Sequence, residues 1–505
     1  MKAVRIAPPE SPSVVAHTPT EKPVKQKSNL LAATVAYIFL GVLTPLQLYS
    51  GSYAGVTSPE FLLCFCIMQF SAIRIAMLSG HKPQFMTLIF YFFVYIWIGW
   101  SGGLHCYIDN FPWTDVHQLN DLRAALISVV LAIVLYEIGR VWSHQVLKVR
   151  EKIKPMQGSS YELSLNRLTA LWLFSFLGFA YGVAFFGVGG VLGTRANFLM
   201  QINSSFSGID LIAARSLLRV PCLITFLGSV VLMRTRWQTL GGAHKRLLLI
   251  IFLSSGLVTF VANYPPALSR QWLGTVAFTT LFLLTPWTRK SSIIWVLLLT
   301  FILTWVYPRA DLFRRAQTWD QAISNLRNQE MLREHINSVD YDVLQMIINT
   351  HVYVKKEGVV WGNNILGATL FFVPRSIWRG KPERSDFYIA RSLNYKANNL
   401  SVPLWGESFM AFGWFGVGLI FLFFGYWSKR LDLAYSRLMP MVSSKLMSPA
   451  ALLLPFLAAY QFIFLRGNLI SALAGAVPVI ITILFLFRRN RPIASSSLAS
   501  DPQNA

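Results

Sequence analysis

Leu469-Ile-Ser-Ala-Leu-Ala-Gly-Ala-Val-Pro-Val-Ile-Ile-Thr-Ile-Leu-Phe-Leu-Phe487 is a run without a single charge, and Arg488, Arg489 and Arg491 follow it at once. Before it stands the turn Arg466-Gly467-Asn468, and before that a second apolar run, 449–465. A helix needs roughly 20 apolar residues to cross the hydrocarbon layer. Two such runs joined by three residues read as a helical hairpin through a bilayer. Only helices or closed barrels satisfy the backbone there. Barrel strands would be short and strictly alternating, and these runs are neither.

The rest of the chain repeats the pattern. Of 505 residues, 54% are hydrophobic and 13% charged, against about a quarter charged in soluble domains. Further runs fall at 30–49, 60–79, 85–104, 122–142, 166–190, 211–233, 247–262, 271–287, 292–307 and 404–427. The expectation is an all-α polytopic integral membrane protein of about twelve transmembrane helices. Residues 1–29, polar and rich in Pro, Lys and Ser, read as a disordered tail. Spans one to nine occupy 30–307, a long loop 308–403, spans ten to twelve 404–487, and a second tail 488–505.

Charge orients the chain. Lys22, Lys25 and Lys27, the 148–154 cluster, Arg234, Arg236, Lys245 and Arg246, Arg289 and Lys290, Lys429, Arg430 and Arg437, and Arg488, Arg489 and Arg491 all fall on one side. The opposite short loops hold only Arg195, Arg270 and Arg466. This asymmetry places both termini in the cytoplasm. The net charge of +23 thus reports orientation. Nucleic-acid binding would gather those charges on one soluble module, and none is present. Three of the four cysteines, Cys64, Cys66 and Cys222, lie in spans, so no disulfide framework is indicated. Arg74, near the cytoplasmic end of its span, reads as snorkelling to the headgroups.

The long loop lies on the non-cytoplasmic side, and long loops usually carry function. Residues 311–350 read as helices on or above the membrane. Then come Val373-Pro374-Arg375-Ser376-Ile377-Trp378-Arg379-Gly380-Lys381-Pro382 and Arg384, a tight basic knot. A helical turn from Pro374 would set Arg375 and Arg379 on one face. Contact with lipid phosphates would explain such a cluster on the anionic cytoplasmic leaflet. On the outer side, anion-substrate binding is the better reading. Arg270, Arg466 and Glu407 fall at the same membrane level. Arg215 and Arg219 lie four apart in the outer half of the sixth span, where an arginine is costly.

Arginines from several helices suit a pyrophosphate, both to bind it and to stabilise it as a leaving group. Joining a sugar to a hydroxyl also benefits from a carboxylate base, for which Glu407, Asp340 and Asp342 are candidates. There is no HExxH, no P-loop, no Ser-His-Asp arrangement and no Cys/His ligand spacing, so neither a metal nor a cofactor is expected.

The knot resembles the "PRS-W-x-x-KP" signature of bacterial oligosaccharide repeat unit polymerases, the Wzy-type O-antigen polymerases. Trp405-Gly406-Glu407-Ser408-Phe409-Met410-Ala411-Phe412-Gly413 is similar to that family's "GE-x-Y-x-NFG" segment, Leu465-Arg466-Gly467 to its late "LRG" turn, and Arg270 with Gly274 to its "R-x-x-x-G" element. Asp340-Tyr341-Asp342 has a family-like position before the signature. The order holds over roughly residues 260–470. Arg379 stands where the family more often has Pro, and Phe409 where Tyr is common.

The resemblance implies a glycosyl polymerase at the periplasmic face of the bacterial inner membrane. Donor and acceptor would be oligosaccharides linked to undecaprenyl pyrophosphate, with a chain-length regulator as a possible partner. Arg375, Arg379, Lys381, Arg270 and Arg466, with Arg215 and Arg219, would hold pyrophosphate. Glu407, Asp342 or Asp340 would orient or deprotonate the acceptor. An O-antigen ligase shares these needs. A flippase or transporter would call for paired repeats meeting at mid-membrane, and the sequence has none.

Overall fold

The computed structural model describes residues 30–49, 58–79, 84–113, 118–153, 161–192, 208–265, 268–284, 289–309, 320, 324, 329–396, 400–438 and 449–489. The tail 1–29, Arg195, residues 490–505 and most of 310–328 lie outside them.

Each of the twelve apolar runs carries a helix: α1 Leu30–Leu46, α2 Pro59–Leu78, α3 Phe85–Ile108, α4 Leu119–Ile153, α5 Leu165–Val191, α6 Gly208–Arg236, α7 Gly242–Ala262, α8 Arg270–Leu284, α9 Ile293–Arg309, then, after the long loop, α14 Leu404–Leu438, α15 Ala450–Arg466 and α16 Leu469–Leu486. Among the described residues, eight of these (α2 to α7, α14 and α16) contain stretches long and apolar enough to cross a membrane. The other four, α1, α8, α9 and α15, are shorter. Among the described residues the architecture is thus all-α apart from one small addition. Tyr161–Leu163 (β1) and Phe487–Arg489 (β2) pair antiparallel, with Tyr161 opposite Arg489.

Local chemistry fixes the helix ends. Ser58 Oγ accepts from the Phe61 N–H at 3.1 Å, with Pro59 preset for the first turn. Asn468 Oδ1 accepts from the Ser471 N–H at 2.9 Å, so the hairpin turn is itself the N-cap of α16.

Helix α3 is buried over its whole apolar length. It packs against α2, α14 and α15, with Phe93 stacked on Trp405 of α14, and Phe90 stacks on Tyr136 of α4. Helices α4 and α14 cross backbone to backbone: a Cβ on Gly139 would sit 2.0 Å from the Leu422 carbonyl oxygen, and one on Gly425 2.0 Å from that of Tyr136. Without a hydrophobic drive between helices in lipid, such close approach supplies the packing. A second group joins α5, α6 and α7, with α16 laid against α6.

Arg74 does more than snorkel. Its guanidinium bonds both oxygens of Glu137 at 2.9 Å, and Arg140 reaches the same carboxylate at 2.7 Å. A lone arginine here would need the headgroups; a carboxylate one helix away removes that need.

The described part of the long loop covers one end of the bundle. It comprises α10 Gln329–Ile336, a 3₁₀ turn Val339–Tyr341, α11 Val343–Glu357, α12 Asn363–Thr369 and α13 Ser385–Ser392. Helix α11 packs on α4 and α14, and α12 on α14 and α16. Met346, Ile389, Leu400 and Met410 form a separate small core beneath it. This cap sits where α14 and α16 begin and α15 ends. Arg234, Arg236, Arg488 and Arg489 lie at the opposite end.

A candidate anion site under the cap

Between the cap and the helix ends lies a cavity of about 1170 Å³. Among the described residues its wall carries six cations, Arg215, Arg219, Arg375, Lys381, Arg384 and Arg391, against one carboxylate, Glu383. Helix α6 contributes the first two, one turn apart. The knot after α12 supplies Arg375 and Lys381, and the approach to α13 and its last turn supply Arg384 and Arg391. Apolar and small residues complete the wall: Phe371, Phe372 and Pro374 from the knot, Ile463 from α15, Ile470 and Gly475 from α16.

The knot holds its own shape by turning cations onto carbonyls. Ile377 and Trp378 N–H groups both donate to the Pro374 carbonyl, at 3.1 and 3.0 Å, which closes one turn. Arg375 donates to the Lys381 carbonyl at 2.8 Å and to that of Pro382 at 3.3 Å. Lys381 Nζ donates to the carbonyls of Phe371 and Val373, at 2.5 and 2.9 Å. Removal from water and then the charge of Arg375 pull the Lys381 ammonium below the usual lysine range. Arg384 is bound to Asp386, whose carboxyl is raised by burial and held back by Arg384. Arg391 meets Glu383 at 3.2 Å.

The sequence-derived candidates therefore divide. Arg215, Arg219, Arg375 and Lys381 converge on the cavity. Arg379 is exposed and stands outside its lining, because the turn at Pro374 is single and Gly380 and Pro382 redirect the chain. Arg270 and Arg466 also lie outside that lining, although the neighbours Ser269 and Gln271 belong to it. Arg270 pairs with Asp340 at 3.0 Å and Arg466 with Asp342 at 3.4 Å. Asp342 is buried and further bound by the Trp113 indole N–H at 2.8 Å and by the Ser401 hydroxyl. Burial pushes its carboxyl up, against the pull of Arg466, Ser401 and Trp113.

Glu407 is buried and fully engaged. Its Oε1 accepts from the Leu469 N–H at 3.0 Å; its Oε2 accepts from Asn364 Nδ2 and Ser385 Oγ, both at 2.7 Å. It ties α14 to the start of α16, to α12 and to α13. That geometry positions the cap and leaves little of the carboxylate for a substrate.

Arg384 and Arg391 were not singled out as ligands from the sequence. Arg384 precedes the helix in extended conformation and Arg391 lies in its last turn, so spacing in sequence does not bring them together. Among the described residues no group of three His, Cys, Asp or Glu could hold a metal. No protein-family model, curated protein or solved structure matches the chain. The class defined by fold and site is therefore an α-helical membrane protein with a cation-lined cavity at one end of its bundle.

Proposed function

We propose that the chain polymerises oligosaccharide repeat units carried on undecaprenyl pyrophosphate, at the periplasmic face of the bacterial inner membrane. About twelve spans with both termini cytoplasmic would put the cap in the periplasm. The observation that carries this reading is the cavity, with six cations around a space large enough for a pyrophosphate and adjoining sugars. The motif resemblance of the knot, which builds part of that wall, points the same way.

In this reading the donor's pyrophosphate rests among Arg215, Arg219, Arg375 and Arg391. Their guanidiniums favour the developing charge on the leaving phosphate more than they favour the bound donor. An acceptor hydroxyl on a second lipid-linked unit attacks the anomeric carbon, and the bond to phosphate breaks. The activated leaving group supplies the driving force, so the protein's task is positioning and charge stabilisation.

Complementation of a deletion strain with Arg375→Ala tests this, with surface polysaccharide resolved by length and membrane protein level measured alongside. Loss of long chains with single capped units still at the surface supports polymerisation through this site. Loss of all surface glycan favours ligase or flippase function, and unchanged chain length removes Arg375 from the site.

A further inference from the structure

Among the described residues, Glu383 is the one carboxylate in a cavity lining whose other charged groups are all cations. A carboxylate in an anion-binding wall either orients one of the cations or serves something other than the anion. The group lies between Lys381 and Arg384 in sequence, so it shares the short, doubly anchored segment that carries both cations. Its backbone N–H is fixed by the Tyr388 hydroxyl at 3.1 Å. Its Oε2 is held by Arg391, at 3.2 Å, and the side chain remains partly exposed. Glu407 and Asp342, by contrast, are buried behind the wall with their oxygens occupied.

From this we infer that Glu383 is the catalytic residue that takes the acceptor's proton. The inference rests on the function proposed above. The acceptor hydroxyl oxygen forms a bond to the donor's anomeric carbon and passes its proton to the Glu383 carboxylate. The carbon–oxygen bond to the pyrophosphate breaks, its electron pair leaves on the phosphate oxygen, and the surrounding arginines carry that charge. Water then takes the proton from Glu383. Arg391 steers the carboxylate by holding one oxygen, and the residue belongs to the cavity lining.

The competing explanation is that Glu383 only pairs with Arg391 to keep α13 in place. The two differ in what each partner's removal does. The test uses the purified full-length protein in detergent, with the single-unit lipid-linked glycan extracted from the deletion strain as substrate and farnesyl pyrophosphate as binding probe. Glu383→Gln keeps an oxygen for Arg391 and cannot take a proton. Its kcat is expected to fall about 100-fold or more, with KM and thermal stabilisation by farnesyl pyrophosphate close to the parent's. Arg391→Gln is expected to raise KM several-fold and weaken that stabilisation, with a smaller effect on kcat. A Glu383→Gln protein within about threefold of the parent's kcat overturns the assignment, as does an equal fall in kcat for both variants. A parent protein that neither lengthens the glycan nor binds the probe overturns the proposed function, and the role of Glu383 with it.

Discussion

Arg466 and Asp342 meet across the hairpin turn and the cap: one guanidinium nitrogen of Arg466 lies 3.4 Å from the carboxylate and donates to the Val339 carbonyl at 2.8 Å. The carboxylate is almost wholly buried. Removing one partner of such a pair leaves an uncompensated charge, which costs about 3–5 kcal/mol. Arg466→Ala should therefore destabilise the protein by about 3 kcal/mol in a denaturant titration. The Arg466→Ala/Asp342→Ala double variant should lose less than the sum of the single losses, and simple additivity would refute the coupling.

Asp342 also sets a direction for pH. Its carboxyl is raised above the ordinary 3.8, chiefly by burial. The folded protein then holds more protons than the unfolded chain between that value and the raised one. This contribution to stability is complete below 3.8 and is lost as pH rises through the raised value. Asp342→Asn should flatten that part of the melting-temperature profile. An unchanged profile in the variant would assign the slope to another group, with Asp386, raised in the same direction by burial, the first candidate.

Glu407 makes a different prediction from the one its sequence motif implies. A general base could be replaced by alanine with loss of rate and little loss of structure. Here alanine would strand the Leu469 N–H and the Ser385 hydroxyl, both now bonded to the carboxylate, and would leave the Asn364 amide only its bond to the Glu407 carbonyl. Unsatisfied buried donors cost about 1–3 kcal/mol apiece. Glu407→Ala should lower the amount of folded protein in the membrane together with activity. Normal protein level with abolished activity would return Glu407 to a chemical role.

The difference between sequence and structure is instructive at these residues. Hydropathy located the apolar helices, eight of which, among the described residues, are long and apolar enough to cross a membrane, because each must satisfy its backbone locally. The topology placed Arg270, Arg375, Arg379, Arg466 and Glu407 at one level, with Arg215 and Arg219 in the outer half of the sixth span, and the structure sets Arg215, Arg219 and Arg375 on one cavity wall. Which of them line the cavity and which pair with Asp340 or Asp342 depends on side-chain direction and on the single turn at Pro374. Spacing in sequence does not encode that. Arg379 shows the limit: four residues from Arg375, it would share its face only if the turn continued as a helix, and Gly380 and Pro382 stop it.

The crossing of α4 and α14 gives a test independent of function. Gly139→Leu should drive a side chain into the Leu422 carbonyl, and Gly425→Val into that of Tyr136, each starting from a Cβ contact of 2.0 Å. Backbone on both sides leaves no rotamer as an escape, so both variants should fail to accumulate in the membrane. Gly242→Ala, where a Cβ would meet nothing within 4 Å, is the control and should accumulate normally. Normal levels of Gly139→Leu would mean that the two helices do not cross this closely.

The knot itself offers the sharpest separation of roles. Arg375 lines the cavity and Arg379 does not, although both are exposed arginines in one ten-residue segment. A cluster acting only by general attraction to lipid phosphates would lose similar function with either, since each contributes one charge. A fixed anion site would not. Arg379→Ala should keep near-normal chain length in the deletion strain. Arg215→Ala, over 150 residues away in sequence but on the same wall, should shorten chains as Arg375→Ala does. Lysine at 375 should restore only part of the loss, because it carries the charge without the paired donors that a guanidinium presents to phosphate. Equal defects from Arg375→Ala and Arg379→Ala, with Arg215→Ala normal, would replace the cavity by a diffuse surface interaction.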